Sequence, residues 1–106
     1  MLLFRYSALT FNGHRIHYDR SYATGVERYP GLVVHGPLIA TLLVDLLGRE
    51  LPPARLVEFN FRAVGSLFDT EAFEICGKLA ADGKSAALWA QNLRGELAMQ
   101  AQAMLA

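Results

Sequence analysis

The chain has 106 residues, of which 53% are apolar and 19% are charged, and its ten basic side chains balance its ten acidic ones. This length fits a single domain. A net charge of zero without runs of like charge argues against a nucleic-acid partner or a membrane-surface patch, because both require a basic field. No apolar run reaches the length of a membrane span, and Met-Leu-Leu-Phe at the start is too short for a signal peptide. The single cysteine, Cys76, favours a reducing compartment, so we expect a cytosolic protein.

The first third of the chain predicts two short helices around a polar loop. Residues 2–10 favour a helix, residues 11–19 a loop and residues 20–27 a second short helix. The loop concentrates polar side chains around one glycine, in a chain that is otherwise mostly apolar: Asn12, His14, His17 and Asp19. We therefore expect the chemistry of the protein at this loop.

The clearest helix covers residues 38–48. Pro37 suits the first position of a helix, and Gly48 suits the left-handed residue that follows the end of one. Apolar residues cover nearly the whole circumference and are interrupted only by Thr41 and Asp45, so the helix is predicted to be buried on most sides.

Four strands are predicted to wrap this helix, at residues 55–64, 71–80, 85–92 and 96–105. The first alternates as a half-buried strand does, with its apolar face formed by Val57, Phe59, Phe61 and Ala63. Asp82-Gly83 predicts a hairpin, and Asn92 to Gly95 predicts a turn. We expect a four-stranded meander, with Cys76 in its core. An apolar helix across such a sheet describes an α+β protein of the hotdog architecture.

Two stretches resemble a known family. Residues 3–19 (LFRYSALTFNGHRIHYD) and 29–38 (YPGLVVHGPL) are similar to the MaoC-like hydratases and dehydratases. Within that family they most resemble the C-terminal half of the mesaconyl-CoA or itaconyl-CoA hydratase type and the mitochondrial-type 3-hydroxyacyl-thioester dehydratases. The resemblance covers nearly all of residues 1–106 and implies one hotdog domain. It also implies addition or removal of water across the α,β double bond of an acyl thioester of coenzyme A or acyl carrier protein, without an organic cofactor or a metal.

The resemblance also implies roles for individual residues. The histidine of the family's catalytic loop falls on His17, and its His-Gly pair falls on His35-Gly36. An imidazole exchanges protons near neutral pH, and a backbone N–H of Gly36 at a helix start can stabilise an enolate oxygen. The family's aspartate position is Asn12 here, and its asparagine position is His14.

The change at Asn12 leaves the proton transfers open, because an amide can orient water but cannot exchange protons. Either His17 performs both transfers alone, or His14 or Asp19 assists. Each of these residues also has a structural interpretation: Asn12 and Asp19 suit turns and caps, and His35 suits the turn before the helix. The histidine spacing does not indicate a zinc site.

The family's independent domains have a lead-in strand ahead of the catalytic loop, and here Met1 lies almost directly before it. We expect a homodimer with sheets joined edge to edge, a complex with a second hotdog subunit, or a fragment.

Two further functions stay open from the sequence. Hotdog thioesterases bind the same thioesters, although Asp45 is the only carboxylate available on this helix. A non-catalytic acyl-thioester-binding partner subunit is the other alternative, favoured if Asn12 and the missing strand disable the site.

Overall fold

The computed structural model describes residues 1–51 and 55–106, and all predicted helices and strands are confirmed within two residues at each end. The helices are α1 (Leu2–Leu9), α2 (Arg20–Gly25) and α3 (Gly36–Glu50), and the predicted loop contains a 3₁₀ turn (Arg15–His17). The strands are β1 (Leu56–Ala63), β2 (Phe73–Leu79), β3 (Ser85–Asn92) and β4 (Leu97–Leu105). None of the helices in these ranges combines the length and the apolar character that crossing a bilayer requires.

Helix α3 runs past the glycine that was expected to end it. Gly48 lies inside the helix, is not among the residues with positive φ, and faces open space. The last turn closes where the N–H of Leu51 donates to the carbonyl of Leu47 at 2.9 Å. The prediction that Gly48 forms the left-handed cap is therefore wrong, because the backbone stays helical and an exposed glycine is tolerated at a modest energetic cost.

The core lies between α3 and the two central strands. The buried side chains of α3 are Leu38, Ile39, Ala40, Leu43 and Leu47, and they face the buried residues Ala86, Leu88 and Ala90 of β3 and Met99, Ala101 and Ala103 of β4. The remaining faces of α3 are less covered, since Thr41 and Asp45 are exposed and Leu42, Val44 and Leu46 are only half-buried. The prediction that α3 is buried on most sides is therefore wrong for this chain by itself.

The sheet is antiparallel with the strand order β1-β4-β3-β2, so the predicted meander is correct for β2 to β4 and wrong for β1. The two hairpins form as expected, with positive φ at Gly83 and Gly95. The segment between β1 and β2 is no hairpin. Its Leu67 is buried, and Phe68 pairs with Val33 ahead of α3. This crossing places β1 beside β4, at the opposite edge from β2.

Strand β1 is more exposed than its alternating pattern predicted. Val57 and Phe61 are 64% and 51% exposed, and only Phe59 of its apolar face is half-buried. The prediction of a half-buried strand is wrong here, because β1 forms an edge of the sheet and α3 packs mainly against β2, β3 and β4 instead. The prediction that Cys76 lies in the core is also wrong, because this residue of β2 is only half-buried.

Candidate active site

The 3₁₀ turn presents His17 with its ring orientation fixed. The His17 Nδ1 atom lies 2.7 Å from the carbonyl oxygen of Val33, and the residue is only 8% exposed. Because a carbonyl oxygen only accepts hydrogen bonds, Nδ1 must be the protonated nitrogen. In the neutral imidazole, Nε2 then holds the lone pair, which is the group that a general base requires.

His35 lies directly against His17 and is almost fully buried. The two rings stack with centroids 4.0 Å apart and an angle of 19° between their planes. Tyr6 of α1 meets the His35 ring edge-on at 4.6 Å, and the hydroxyl of Ser7 lies 2.7 Å from His35 Nε2. Burial, and secondarily the charge of His17, lower the pKa of His35 from 6.5 to about 4. His35 is therefore neutral at neutral pH, which agrees with the expected structural role.

Gly36 is the first residue of α3, and its N–H has no acceptor within the helix. Packing does not require a glycine here, since an added Cβ would meet only the Cε atom of Met99, at 4.0 Å. The N-terminus of this 15-residue helix provides a hydrogen-bond donor together with the positive end of the helix dipole. An approaching carbonyl oxygen is the kind of group that such an amide stabilises.

Asn12 is held by the loop and retains free donors. Its side-chain oxygen accepts from the N–H of His14 at 3.0 Å, and its own N–H donates to the carbonyl of Ser7 at 2.8 Å. The side-chain NH₂ of Asn12 has no acceptor in the described part of the chain. Asn12 borders an open groove of about 370 Å³ that it shares with Phe4, Ser7, Ala8, Phe11, Gly13 and Tyr18. The geometry thus suits the expected role of Asn12 in orienting a polar group.

The two residues expected to assist are placed differently. His14 is exposed, and its ring lies 6.2 Å from that of His17, nearly parallel to it. Asp19 instead caps α2 through the N–H of Tyr22 at 3.1 Å, and its other oxygen pairs with Arg15 at 3.1 Å. These contacts lower the pKa of Asp19, mainly through the Tyr22 N–H. Both oxygens of Asp19 are engaged, so His14 is the better placed of the two to assist His17.

The carbonyl group that orients His17 belongs to Val33, which lies in a segment that is hydrogen-bonded to two other parts of the chain. The N–H of Val33 donates to the carbonyl of Ile16 at 2.8 Å, and the N–H of Val34 donates to that of Leu67 at 2.9 Å. One carboxylate oxygen of Asp69 accepts from the N–H of Leu32 at 3.0 Å, and Asp69 also pairs with Arg20. The short segment that leads into α3 is therefore fixed relative to both the 3₁₀ turn and the crossing between β1 and β2.

Two contacts of the site were not predicted. Tyr6 and Ser7 reach His35 from α1, although no catalytic role was expected for that helix. The sequence contains one sign that Ser7 is buried: it lies one helical turn after Leu3, on the same face of α1. These two are the buried residues of the helix. Among residues 1–51 and 55–106, no three side chains of the metal-binding types cluster as an ion would require.

Two known proteins are similar to this chain in sequence. The chain is 50% identical over 100 residues to mesaconyl-C(4)-CoA hydratase of Chloroflexus aurantiacus, a match that covers 94% of this chain and 35% of the relative. It is 38% identical over 78 residues to the mitochondrial hydroxyacyl-thioester dehydratase type 2 of Schizosaccharomyces pombe, covering 72% of this chain and 26% of that protein. The chain therefore spans about a third or less of the length of these relatives.

Solved structures show the same fold. The (R)-hydratase of A. caviae superposes with a TM-score of 0.75 at 21% identity, over 97% of this chain and 83% of that one. The ChsH1-ChsH2 complex of Mycobacterium tuberculosis gives a TM-score of 0.79 at 14% identity, over 98% and 84%. The α+β hotdog fold is thereby confirmed. The sequence matches, and not these structures, make the chain a member of the MaoC-like hydratases and dehydratases. More narrowly, it belongs to the hydroxyacyl-thioester dehydratase type 2 family, whose model matches residues 1–69.

Proposed function

We propose that this domain carries the catalytic site of an acyl-thioester hydratase or dehydratase. The observation that carries the proposal is the hydrogen bond from His17 Nδ1 to the Val33 carbonyl, which leaves Nε2 as a base next to the start of α3. The relatives named as mesaconyl-C(4)-CoA hydratase and hydroxyacyl-thioester dehydratase support this class of reaction. The substrate is an enoyl or 3-hydroxyacyl thioester of coenzyme A or acyl carrier protein.

In the hydration direction, His17 Nε2 removes a proton from water while the water oxygen bonds to the β-carbon of the enoyl group. The π electrons move towards the thioester, and the negative charge that develops on its oxygen is stabilised by the Gly36 N–H. The imidazolium of His17 then returns its proton to the α-carbon, which regenerates the neutral base. Dehydration is the reverse sequence, so one histidine can perform both proton transfers.

Asn12 serves this reaction as a positioning group for water or the thioester carbonyl. Its side-chain oxygen is already engaged by the N–H of His14, so the NH₂ group is the part that is available to a ligand. The chemistry needs only the thioester and water, so the domain is expected to work without an organic cofactor or a metal. The cytosolic location inferred from the sequence stays a prediction.

The thioesterase alternative gains no support from the structure. Asp45 forms an ion pair with Arg49 at 3.1 Å, and its side chain is 63% exposed, on a different side of α3 from the buried residues that face the sheet. A carboxylate at that position does not approach the stacked histidines.

The same proposal includes a second hotdog domain as partner. The outer edge of β1 pairs with no strand in the described ranges, and it presents the exposed side chains of Val57 and Phe61. Unpaired edges with apolar side chains favour association with another strand. A homodimer or a complex with a second hotdog subunit would cover this edge, and ChsH1-ChsH2 is a structural neighbour that forms a complex.

Absorbance of the enoyl thioester tests the reaction directly. The purified chain is mixed with crotonyl-CoA or mesaconyl-CoA, and a parallel assay measures free thiol. A fall in enoyl absorbance without release of thiol supports hydration. Release of thiol would instead assign a thioesterase, and binding without turnover of any thioester would assign a non-catalytic subunit.

A further inference from the structure

The side-chain hydroxyl of Ser7 makes one polar contact within the described part of the chain, and that contact lies inside the candidate site. The residue is 4% exposed, and its hydroxyl has His35 Nε2 as its partner at 2.7 Å. Most serine side chains in a helix either face solvent or bond back to their own helix. Ser7 does neither, so the position of this hydroxyl is best explained by what it holds.

The contact fixes the orientation of the His35 ring. One face of this ring stacks on His17 at 4.0 Å, and Tyr6 packs edge-on at 4.6 Å. The other ring nitrogen, Nδ1, is buried and has no hydrogen-bond partner in the described residues. Ser7 is therefore the polar group that distinguishes the observed ring orientation from one rotated by half a turn.

The same contact selects one tautomer of His35. A proton on Nδ1 would be a buried donor without an acceptor, and buried N–H groups without a partner are rarer than buried acceptors without one. The proton is therefore placed on Nε2, from where it donates to the Ser7 oxygen. The Ser7 O–H then has no acceptor at this contact, but a hydroxyl hydrogen can rotate about its Cβ–Oγ bond, whereas an Nδ1–H would be fixed in the plane of the ring. In this form Nδ1 holds only a lone pair, and the ring stacked against His17 is neutral.

His35 is connected to both proposed catalytic groups, the His17 ring and the Gly36 N–H. Its ring is the surface on which the His17 ring rests, and its carbonyl carbon is bonded directly to the nitrogen of Gly36. A rotation of the His35 side chain would release the ring of His17 and disturb the peptide that presents the Gly36 N–H. A misplacement of about 1 Å at such a group is sufficient to reduce a rate by about 10²-fold.

We propose that Ser7 is a positioning residue for the hydratase reaction: it holds His35 in the Nε2–H tautomer, and through His35 it keeps the base and the Gly36 amide in register. The kinetic part of this inference rests on the proposed function, whereas the tautomer is a property of the protein without substrate. The two parts can therefore fail separately.

Long-range ¹H–¹⁵N spectra of the histidine rings of the wild-type chain test the tautomer, because they separate protonated from unprotonated ring nitrogens. We expect His35 to show a protonated Nε2 and an unprotonated Nδ1 at neutral pH. A proton on Nδ1, or a ring protonated on both nitrogens, would overturn the inference whether or not the chain turns over a thioester.

Kinetics of Ser7→Ala and Ser7→Thr test the positioning role, with Ser21→Ala as the matched control on the exposed side of α2. Ser7→Ala should lower kcat about 10- to 100-fold with little change in KM, since the residue orients groups and does not bind substrate. Its His35 spectrum should show a mixture of tautomers.

Ser7→Thr, which keeps the hydroxyl, should restore most of the rate, and Ser21→Ala should match the wild type. If Ser7→Ala does not fold, Ser7→Cys takes its place, because a thiol is a weak acceptor of similar size. An unchanged kcat in a folded variant without the hydroxyl would overturn the positioning role. Absence of turnover in the wild type, with the expected His35 tautomer, would instead contradict the proposed function.

Discussion

Acidification should destabilise the domain well above the pH at which its carboxylates titrate, because His35 is buried and neutral. Burial lowers the pKa of His35 from 6.5 in the unfolded chain to about 4 in the folded one. The unfolded state therefore binds this proton more tightly. This group therefore does not reduce the free energy of unfolding above pH 6.5. The free energy of unfolding decreases as the pH falls from 6.5 towards 4.

The magnitude follows from the linkage relation. Between pH 7 and pH 5, a group with these two pKa values reduces the free energy of unfolding by about 2 kcal/mol. Asp19, Asp69 and Glu96 also have lowered pKa values, but their ordinary values are between 3.8 and 4.5, so their effect falls mostly below this interval. The polar and ionisable side chains that face the His35 ring are His17, Tyr6 and Ser7.

Urea unfolding at fixed protein concentration, repeated between pH 7 and pH 5, measures this loss. His35→Gln removes the titrating group, so its free energy of unfolding should change less than half as much over the same interval. His14→Gln is the matched control, since His14 is exposed, and it should keep the wild-type dependence. Equal pH dependence in the wild type and in His35→Gln would refute the burial argument.

Three further predictions concern the start of α3, the contacts of Asp69 with Leu32 and Arg20, and the outer edge of β1. Gly36→Pro removes the N–H, and His35 already has the φ of −62° and ψ of 132° that a following proline requires. In variant protein that is folded by circular dichroism, kcat should fall on the order of 10²- to 10³-fold in the thioester assay. Gly36→Ala, which keeps the N–H and meets only Met99, should lose far less, and equal losses would contradict the amide's role. Asp69→Asn should lower the free energy of unfolding by about 1 kcal/mol in urea, whereas the exposed Asp45→Asn should change it little. The reverse order would contradict a stabilising role for the Asp69 contacts. Phe61→Lys on β1 should shift sedimentation at micromolar concentration from dimer towards monomer, and a wild type that is already monomeric would contradict the homodimer.

The sequence was sufficient for the elements and for the family, because both depend on local patterns. Pro37 and the long apolar run predicted α3, and the turn residues around Gly83 and Gly95 predicted two hairpins. The end of α3 was misplaced because a glycine stops a helix only where the backbone turns left-handed, and tertiary packing decides that. The order of the strands was also out of reach, since it depends on the pairing of Val33 with Phe68, which are far apart in sequence.

Of the candidate site, too, only part could be predicted from the sequence. Sequence motifs nominated His17 and Gly36, and the structure places their elements side by side through the stack of His17 on His35. Ser7 was missed because a serine among apolar residues becomes informative only when its partner, 28 positions away, is known. Asp19 was considered an assistant from its proximity in sequence, and only coordinates show that a cap and an arginine already engage it.

Turnover of enoyl thioesters by the wild type beside His17→Ala tests the central claim most directly, with His14→Ala as a control that also removes an imidazole from the loop. Wild-type protein should hydrate crotonyl-CoA or mesaconyl-CoA. His17→Ala should lose about 10²- to 10⁴-fold in kcat while remaining folded by circular dichroism, and His14→Ala should lose less. Undiminished turnover in a folded His17→Ala variant would contradict the assignment of His17 as the acid and base of this site.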